Sequence, residues 1–353
     1  MRPTKLFVFT RQSGQGDIRL IDPERKTGSA AGTLYKKVPA DFSVGGYEIV
    51  DAPAHAAFVL IPHTIKQPEK VTEYLDSAAL CAKKYGKKAL VFFGGDPADG
   101  RHIDRPEFLV WKAAGFKSDR HENELIYAPF AEDLGETHPF TIRKKSTKPI
   151  VSFCGNTGFG SKKSAFKYYA RNFVLDLVSL ISPRAVARKR GIYFRRRALS
   201  LLSADARIDA KFIIRDQFGG NAKNVADPTK NRREYVENLR DTDLVLCPKG
   251  DGNYSSRFYE TLSLGRIPLL IDTDMCLPLE HSLEYDAFTL RVKMEDLDRI
   301  GDIVVAWYGG LTEEAFATMQ KAARRAYEER LRFDAFFRYA LPRLAEEGKS
   351  AVL

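Results

Sequence analysis

The chain has 353 residues, 44% of them hydrophobic and 29% charged, with a formal net charge of +10 at pH 7. That length accommodates two domains with a core each, and the composition is that of a globular protein rather than of a disordered or fibrous one. No apolar run approaches the roughly 18 residues of a transmembrane helix. The apolar stretch at residues 6–9 is too short for a signal peptide, so we expect a cytoplasmic protein. The four cysteines are scattered without CxxC spacing, which predicts buried thiols rather than zinc ligands or disulfides.

Apolar runs alternate with helix-like segments in the first part of the chain. Residues 68–85 show the spacing of an amphipathic helix, and residues 107–114 are expected to form a helix or a loop. Strands that alternate with helices predict a mainly parallel sheet and the α/β class. Four segments have the composition of buried strands: residues 5–9, 57–61, 89–93 and 125–128.

A second unit of the same kind begins after a basic linker. Residues 150–154 are predicted as a strand and residues 163–180 as a long helix, with a glycine-rich loop between them. This loop is not a Walker A motif, because Ser161 stands where the lysine belongs. It predicts a glycine turn over residues 155–161 that opens the helix, on which a donor phosphate could rest beside Gly155 and Asn156. The alternative is a plain turn without ligand contact.

The most informative segment is residues 243–274, in which two short apolar runs flank a small polar turn and a short helix. The runs at 244–247 and 267–271 are predicted as buried strands, and 256–264 as the helix. Gly250 in the turn permits positive backbone dihedrals. Such a strand, turn and helix point the free N–H groups of the first helical turn at whatever lies beyond the strand, which favours an anion.

Side chains at the start of this helix suit a diphosphate and a sugar. Arg257 lies in the first turn, and its planar fork matches two phosphate oxygens. Glu260 follows on the same face, where a carboxylate can accept hydrogen bonds from ribose hydroxyls. The alternative is an exposed Arg257–Glu260 helix pair with no ligand. The residues predicted to bind the donor are Gly155, Asn156, Lys249, Gly250, Asn253, Ser255, Ser256, Arg257 and Glu260.

The pattern Pro248-x-Gly250, Ser255-Ser256-Arg257, Glu260 and Gly265-Arg266-Ile267-Pro268 resembles the exostosin-like glycosyltransferases of family 47. The resemblance covers roughly the last third of the chain, and Arg266 stands where family members often have a cysteine. It implies the GT-B fold, with two Rossmann-like α/β domains and a cleft between them. We accordingly predict an acceptor-side domain over 1–145, a donor domain over 146–330, and a C-terminal helix over 331–353 that packs back on the first domain.

The resemblance also implies the reaction. The chain would move a sugar from a nucleotide diphosphate, UDP favoured and GDP as the alternative, to a glycan or lipid-linked acceptor in cell-surface polysaccharide synthesis. Transfer would invert the anomeric carbon and need no cofactor. An inverting transfer needs a general base, expected at the carboxyl end of a strand in the first domain. Asp96 is the preferred candidate, with Asp17 and His63 as alternatives.

Two other functions are compatible with the sequence. One is a metal-dependent transferase, because Asp272-Thr273-Asp274 matches the D-x-D motif and could supply oxygen ligands to a divalent metal. We expect no metal, since the same tripeptide recurs at 241–243 and the resemblance implies a fold that neutralises the diphosphate with basic groups and a helix dipole. The other is a non-catalytic protein that binds carbohydrate or nucleic acid. The basic segment 184–197 is compatible with nucleic-acid binding. We expect it instead to attract anionic donors or the inner face of a membrane.

Overall fold

The computed structural model describes residues 2–22, 46–94, 101–159, 161–215 and 227–348. Over these residues the chain forms two sheets, one of six strands and one of five, and every strand pair within them is parallel. Helices pack against both sheets. The predicted α/β class with two Rossmann-like units is therefore confirmed.

The first sheet has the strand order β2-β1-β3-β4-β5-β6. Its strands are Thr4–Val8 (β1), Tyr47–Val50 (β2), Phe58–Ile65 (β3), Lys88–Phe93 (β4), Phe108–Lys112 (β5) and Glu124–Ile126 (β6). The helix α1, Thr72–Lys84, packs on β3 and β4. The four predicted strands are present, but the expectation of a helix or loop over 107–114 is wrong. All five residues of β5 are buried, and a strand covered on both faces lacks the alternation of a half-exposed strand.

The second sheet has the order β11-β10-β9-β7-β8. Its strands are Ile150–Asn156 (β7), Asp209–Arg215 (β8), Leu244–Cys247 (β9), Ile267–Asp272 (β10) and Leu290–Lys293 (β11). Its helices are Lys162–Ser179 (α2), Gly191–Ala204 (α3), Pro228–Arg240 (α4), Ser256–Ser263 (α5) and Ile300–Gly309 (α6). The chain runs from β7 outward to β8 and then returns to the other side of β7 at β9. Strand order thus reverses between β7 and β9, and ligands of open α/β sheets bind at such switch points.

The end of the chain returns to the first sheet. The helix α7 (Glu313–Ala326) continues as a π turn over Tyr327–Leu331, and α8 (Phe333–Glu346) begins after Arg332, whose backbone is extended. The rings of Phe336 and Phe337 in α8 each lie 5.6 Å from the ring of Trp111 in β5, in edge-to-face contact. The last helix therefore completes the core of the first unit. The boundaries near residues 145 and 330 stay predictions.

Candidate functional site

The candidate site lies at the switch point of the second sheet, where β7 and β9 end side by side. The two strands pair directly, with Val151 opposite Leu244. After Cys247 the chain forms a turn over 248–255 and enters α5 at Ser256, so that the first turn of α5 starts beside the end of β7. The sequence prediction of strand, turn and helix over this segment is confirmed.

Arg257, in the first turn of α5, lies against the end of β7. Its Nη2 donates to the carbonyl oxygen of Cys154 at 2.7 Å, and its guanidinium lies 4.2 Å from the ring centroid of Phe153. A Cβ at Gly155 would lie 2.8 Å from this Nη2, so the absence of a side chain there permits the close approach. The Nε of Arg257 is buried and makes no hydrogen bond with the described residues. A buried cationic N–H without a hydrogen-bond acceptor destabilises the folded protein, and a bound anion that accepts this hydrogen bond would remove the cost.

Arg195, from α3, approaches the same strand end. Its Nη1 donates to the carbonyl oxygen of Asn156, and its guanidinium lies 5.6 Å from the ring centroid of Phe153. Its Nε is also buried and, within the described part of the chain, unpaired. Burial, and then the positive charge of Arg257, lower the pKa of Arg195 to about 10. The two guanidinium groups lie over one aromatic ring and repel each other, and an anion bound between them would offset this repulsion.

Glu260 is buried beside this pair and is held by α4. Its Oε1 accepts from Nη1 of Arg232 at 3.2 Å, and its Oε2 accepts from the hydroxyl of Tyr235 at 2.5 Å. Arg232 also donates to Glu132 at 2.6 Å. Burial and the Glu260 carboxylate raise the pKa of Tyr235 well above its usual value, which keeps this hydroxyl a donor. Glu260 therefore pairs with Arg232, so the sequence alternative of an exposed Arg257–Glu260 pair does not describe the structure.

The turn between β9 and α5 is held by its own polar groups. Gly250 N–H donates to the carbonyl oxygen of Tyr254 at 2.9 Å. Asn253 is fully buried, and its amide donates to the carbonyl oxygens of Gly115 and Thr273, both at 3.1 Å. Ser255 occupies the N-cap position of α5 with extended backbone, yet its side chain makes no capping hydrogen bond to the helix. The helix begins at Ser256, and its first turn has no hydrogen bond from the Ser255 side chain.

Lys249 is buried between the turn and α3. Its Nζ donates to the carbonyl oxygen of Ala187 at 2.5 Å, just before α3. A Cβ at Gly191, the first residue of α3, would lie 2.1 Å from the carbonyl oxygen of Lys249, so the two backbones are in direct contact. This contact fixes α3, which carries Arg195, against the turn that leads to Arg257.

Burial, followed by the charges of Arg188 and Arg171, lowers the pKa of Lys249 to about 7 from 10.5. Between those two pH values the unfolded chain binds more protons than the folded chain. The free energy of unfolding therefore rises with pH in this window, by up to about 1.4 kcal/mol per pH unit, and the gain is lost as the pH falls to about 7.

We expect Lys249→Met to make the protein more stable at neutral pH and to remove this slope, because methionine keeps much of the volume without the charge. Urea unfolding between pH 7 and the usual lysine pKa measures both effects. Lys230→Met, at an exposed lysine of α4, is the matched control and should leave the slope unchanged. An equal slope in Lys249→Met would show that Lys249 stays charged in the folded protein.

The candidates for the base lie in the first unit. Asp96 lies outside the described residues. Asp17 and His63 are brought together by an isolated bridge between their backbones, near the ends of β1 and β3, where this sheet also reverses its strand order. Asp17 accepts from Nε of Arg11 at 2.9 Å, and its Oδ1 lies 3.9 Å from Nδ1 of His63. His63 is buried, and its Nε2 accepts from the backbone N–H of Gln12 at 2.7 Å.

The D-x-D tripeptide forms a turn at the contact between the two units. Asp272 Oδ1 accepts from the backbone N–H of Met275 at 3.0 Å, and Asp274 Oδ2 accepts from the backbone N–H of Ser118 at 3.0 Å. Asp274 has a positive φ of 60°. Among the described residues, no group of three or more His, Cys, Asp and Glu is arranged to hold a metal ion.

Much of the basic segment 184–197 is bound within the protein. Lys189 pairs with Asp176, and Arg195 turns inward to β7. The other ion pairs of this segment are Arg188–Asp119 at 3.0 Å, Arg190–Asp251 at 2.8 Å and Arg197–Asp298 at 2.8 Å. These five basic residues therefore already have partners within the chain, whereas Arg184 and Arg196 are exposed. Over the ranges that the structure describes, no helix is long and apolar enough to cross a membrane.

Arg195 is the site residue that the sequence prediction missed. It stands in a run of three arginines, and its helix buries Phe194, Ala198 and Leu202. That phase places Arg195 at the edge of the buried face and leaves Arg196 and Arg197 exposed. The helical period could have singled out Arg195, but it could not show that β7 ends beside it.

Two parallel α/β units, with a last helix that returns to the first unit, define a protein of the GT-B class. Residues 134–306 match the model of the Exostosin GT47 domain, which includes β7 to β10 and the whole candidate site. Over these residues the chain is similar to the exostosin-like glycosyltransferases, which confirms the resemblance that its Arg257–Glu260 segment indicated.

Curated relatives match a limited part of the chain. A probable glucuronosyltransferase of Oryza sativa subsp. japonica is 30% identical over 78 residues, which are 22% of this chain and 18% of the relative. The Exostosin-1 homolog of Caenorhabditis elegans is 28% identical over 102 residues, 29% of this chain and 26% of the relative. The chain thus matches about a fifth to a quarter of the length of these relatives.

Among solved structures, a glycosyltransferase from Rickettsia africae ESF-5 is similar over 99% of this chain and 98% of its own, with 9% identity and a TM-score of 0.37. At that score the likeness adds nothing to the family match.

Proposed function

We propose that this protein transfers a sugar from a nucleotide diphosphate donor, UDP favoured over GDP, to a glycan or lipid-linked acceptor, with inversion at the anomeric carbon. The observation that carries the proposal is the pair Arg195 and Arg257, whose guanidinium groups lie over the same Phe153 ring at the switch point. The Nε–H group of each is buried and has no partner among the described residues. Synthesis of cell-surface polysaccharide is the role that we assign to this activity.

The diphosphate would lie between the two guanidinium groups and the first turn of α5. The backbone of Gly155, Asn156 and Gly250 would line this position, and Ser255 and Ser256 would supply hydroxyl and N–H donors. The leaving diphosphate gains charge as the glycosidic bond breaks, so fixed cations and N–H groups aimed at it lower the barrier. This arrangement neutralises the leaving group with arginine and a helix N-terminus.

Glu260 would accept hydrogen bonds from the ribose hydroxyls. Arg232 and Tyr235 each donate to one of its oxygens, which holds the carboxylate in place and leaves lone pairs for a ligand. In this proposal Lys249 and Asn253 act indirectly on donor binding: Lys249 holds α3 in position, and Asn253 holds the turn. The general base is Asp96, which follows β4 in the sequence, with Asp17 and His63 as the alternatives.

The test is the binding of UDP in the presence of a chelator, measured by calorimetry. We expect wild type to bind UDP, and Arg195→Ala to weaken binding at least about tenfold, since a charge-assisted pair is worth roughly 1.5–3 kcal/mol. Arg197→Ala is the matched control from the same run of arginines. The Arg197 side chain pairs with Asp298, so its removal should leave the affinity for UDP unchanged.

The other outcomes distinguish the competing functions. Binding that appears only with manganese would favour a metal-dependent transferase that uses Asp272 and Asp274. Failure to bind UDP, GDP or any other nucleoside diphosphate would favour a non-catalytic binding protein. A panel of nucleotide sugars, UDP-glucuronate included because relatives are named glucuronosyltransferases, then identifies the donor by the release of nucleotide.

A further inference from the structure

The helix α2 turns its apolar side away from the protein. Its buried residues are the polar-tipped Tyr168 and Asn172. Opposite them lies a row of large apolar side chains, which we call the α2 stripe and which is 75% exposed at Phe166 and 91% exposed at Ile181. The stripe comprises Phe166, Phe173, Val174, Leu177, Leu180 and Ile181. The first four lie in α2 at helical spacing and share one face, and Leu180 and Ile181 follow directly after its last residue, Ser179.

An apolar face of this kind is the reverse of what a helix of a globular unit normally presents. Such helices turn their apolar side to the core, and large contiguous apolar patches on a surface mark interaction sites. The α2 stripe runs along a helix of 18 residues, roughly 27 Å long at 1.5 Å per residue. It therefore offers a continuous ridge rather than scattered exposed side chains.

The charges around the stripe identify what covers it. The helix carries Lys162, Lys163, Lys167 and Arg171 against a single acid, Asp176, whose carboxylate is already paired with Lys189. Exposed Arg184 follows shortly after the helix. A second copy of this chain would bring the same positive charges to the contact without acids to balance them. A surface of negative charge above an apolar layer matches both features.

We propose that the α2 stripe docks on the surface of an anionic lipid bilayer. The apolar side chains enter the boundary between headgroups and acyl chains, and the lysines and arginines contact lipid phosphates, as in interfacial amphipathic helices. The contact lies on α2 and Arg184 and not on residues 188–197, where Arg188, Lys189, Arg190 and Arg197 are already in ion pairs. Because α2 begins shortly after Asn156, docking brings the end of β7 near the membrane, within reach of a lipid-linked acceptor.

The test is flotation of the full chain with vesicles of phosphatidylcholine, with and without phosphatidylglycerol. We expect binding to the anionic vesicles only. Phe173→Ser/Leu177→Ser should abolish it, whereas Leu80→Ser, at a leucine of α1 that is 67% exposed, should retain it. Lys163→Glu/Lys167→Glu should weaken it at least about tenfold, since each basic residue near an anionic surface is worth about fivefold. Lys83→Glu/Lys84→Glu, at exposed lysines of α1, is the charge control.

Three results would overturn the proposal. One is the absence of binding to anionic vesicles, and another is equal binding by the Phe173→Ser/Leu177→Ser variant. The third is a wild-type dimer in analytical ultracentrifugation that this variant dissolves, which would make a second copy the partner. Thermal unfolding shows whether each variant is folded, and UDP binding by the variants separates a failure here from a failure of the proposed activity.

Discussion

Arg257→Ala should lower turnover about 100-fold and abolish detectable UDP binding, the largest functional loss expected from any single change at the site. Arg257 connects the start of α5 to the end of β7: it donates a hydrogen bond to the carbonyl oxygen of Cys154, and its guanidinium lies over the Phe153 ring. Alanine removes both the fork that would bind two phosphate oxygens and the charge that would balance the leaving group. Initial rates of nucleotide release and UDP calorimetry measure the two losses.

Two controls separate charge from geometry and from general damage. Arg257→Lys keeps the charge without the planar fork, so it should restore only part of the UDP affinity. Arg207→Ala removes a guanidinium at the opposite edge of the same sheet, where it pairs with Asp205 and Asp302, and should change neither quantity. Because Arg257 also supports β7, the thermal midpoint of each variant is needed. Wild-type turnover in a folded Arg257→Ala would refute the donor site.

The local part of the site was predictable because its signals are local. The apolar run that ends at Cys247, the small turn and the start of the helix at Ser256 each depend on neighbouring residues. Parallel-sheet geometry then places the helix start beside the strand end, whatever the rest of the chain does. Arg257 and Glu260 could therefore be placed on one helix face from their spacing alone.

The rest depends on contacts between distant segments. Nothing near Glu260 in the sequence indicates that Arg232, in α4, binds its carboxylate, and nothing near Arg195 indicates that β7 ends against it. The same limit applies to the long helix after β7. Its period predicts an apolar side correctly, but the period cannot show that this side faces outward, since that depends on where Tyr168 and Asn172 pack.

Asp243 is a further example of long-range partners that the sequence conceals. It belongs to the D-T-D tripeptide at 241–243, the other copy of the sequence found at 272–274. In the structure its carboxylate is fully buried and joins the segment before β7 to α6. Oδ1 accepts from Nε of Arg143 at 2.8 Å; Oδ2 accepts from the backbone N–H of Ile150 at 3.1 Å and from the hydroxyl of Tyr308 at 2.8 Å. Burial and this carboxylate raise the pKa of Tyr308, so its hydroxyl stays protonated and donates.

Asp243→Ala is therefore expected to lower the free energy of unfolding by about 3 kcal/mol, because it leaves the Arg143 guanidinium and the Ile150 N–H without this acceptor. The Tyr308 hydroxyl would keep only the carbonyl oxygen of Ser146, at 3.0 Å. Asp241→Ala, in the same tripeptide, removes a carboxylate that pairs with Arg240 at the surface and should change stability by less than about 0.5 kcal/mol. Urea unfolding followed by Trp307 fluorescence, in a Trp111→Phe background, reports on the second unit because Trp307 adjoins Tyr308 in α6. Equal unfolding midpoints for the two variants would show that the buried carboxylate contributes no more than the exposed one. A large difference would show that Asp243 anchors the linker to the unit that holds the donor site.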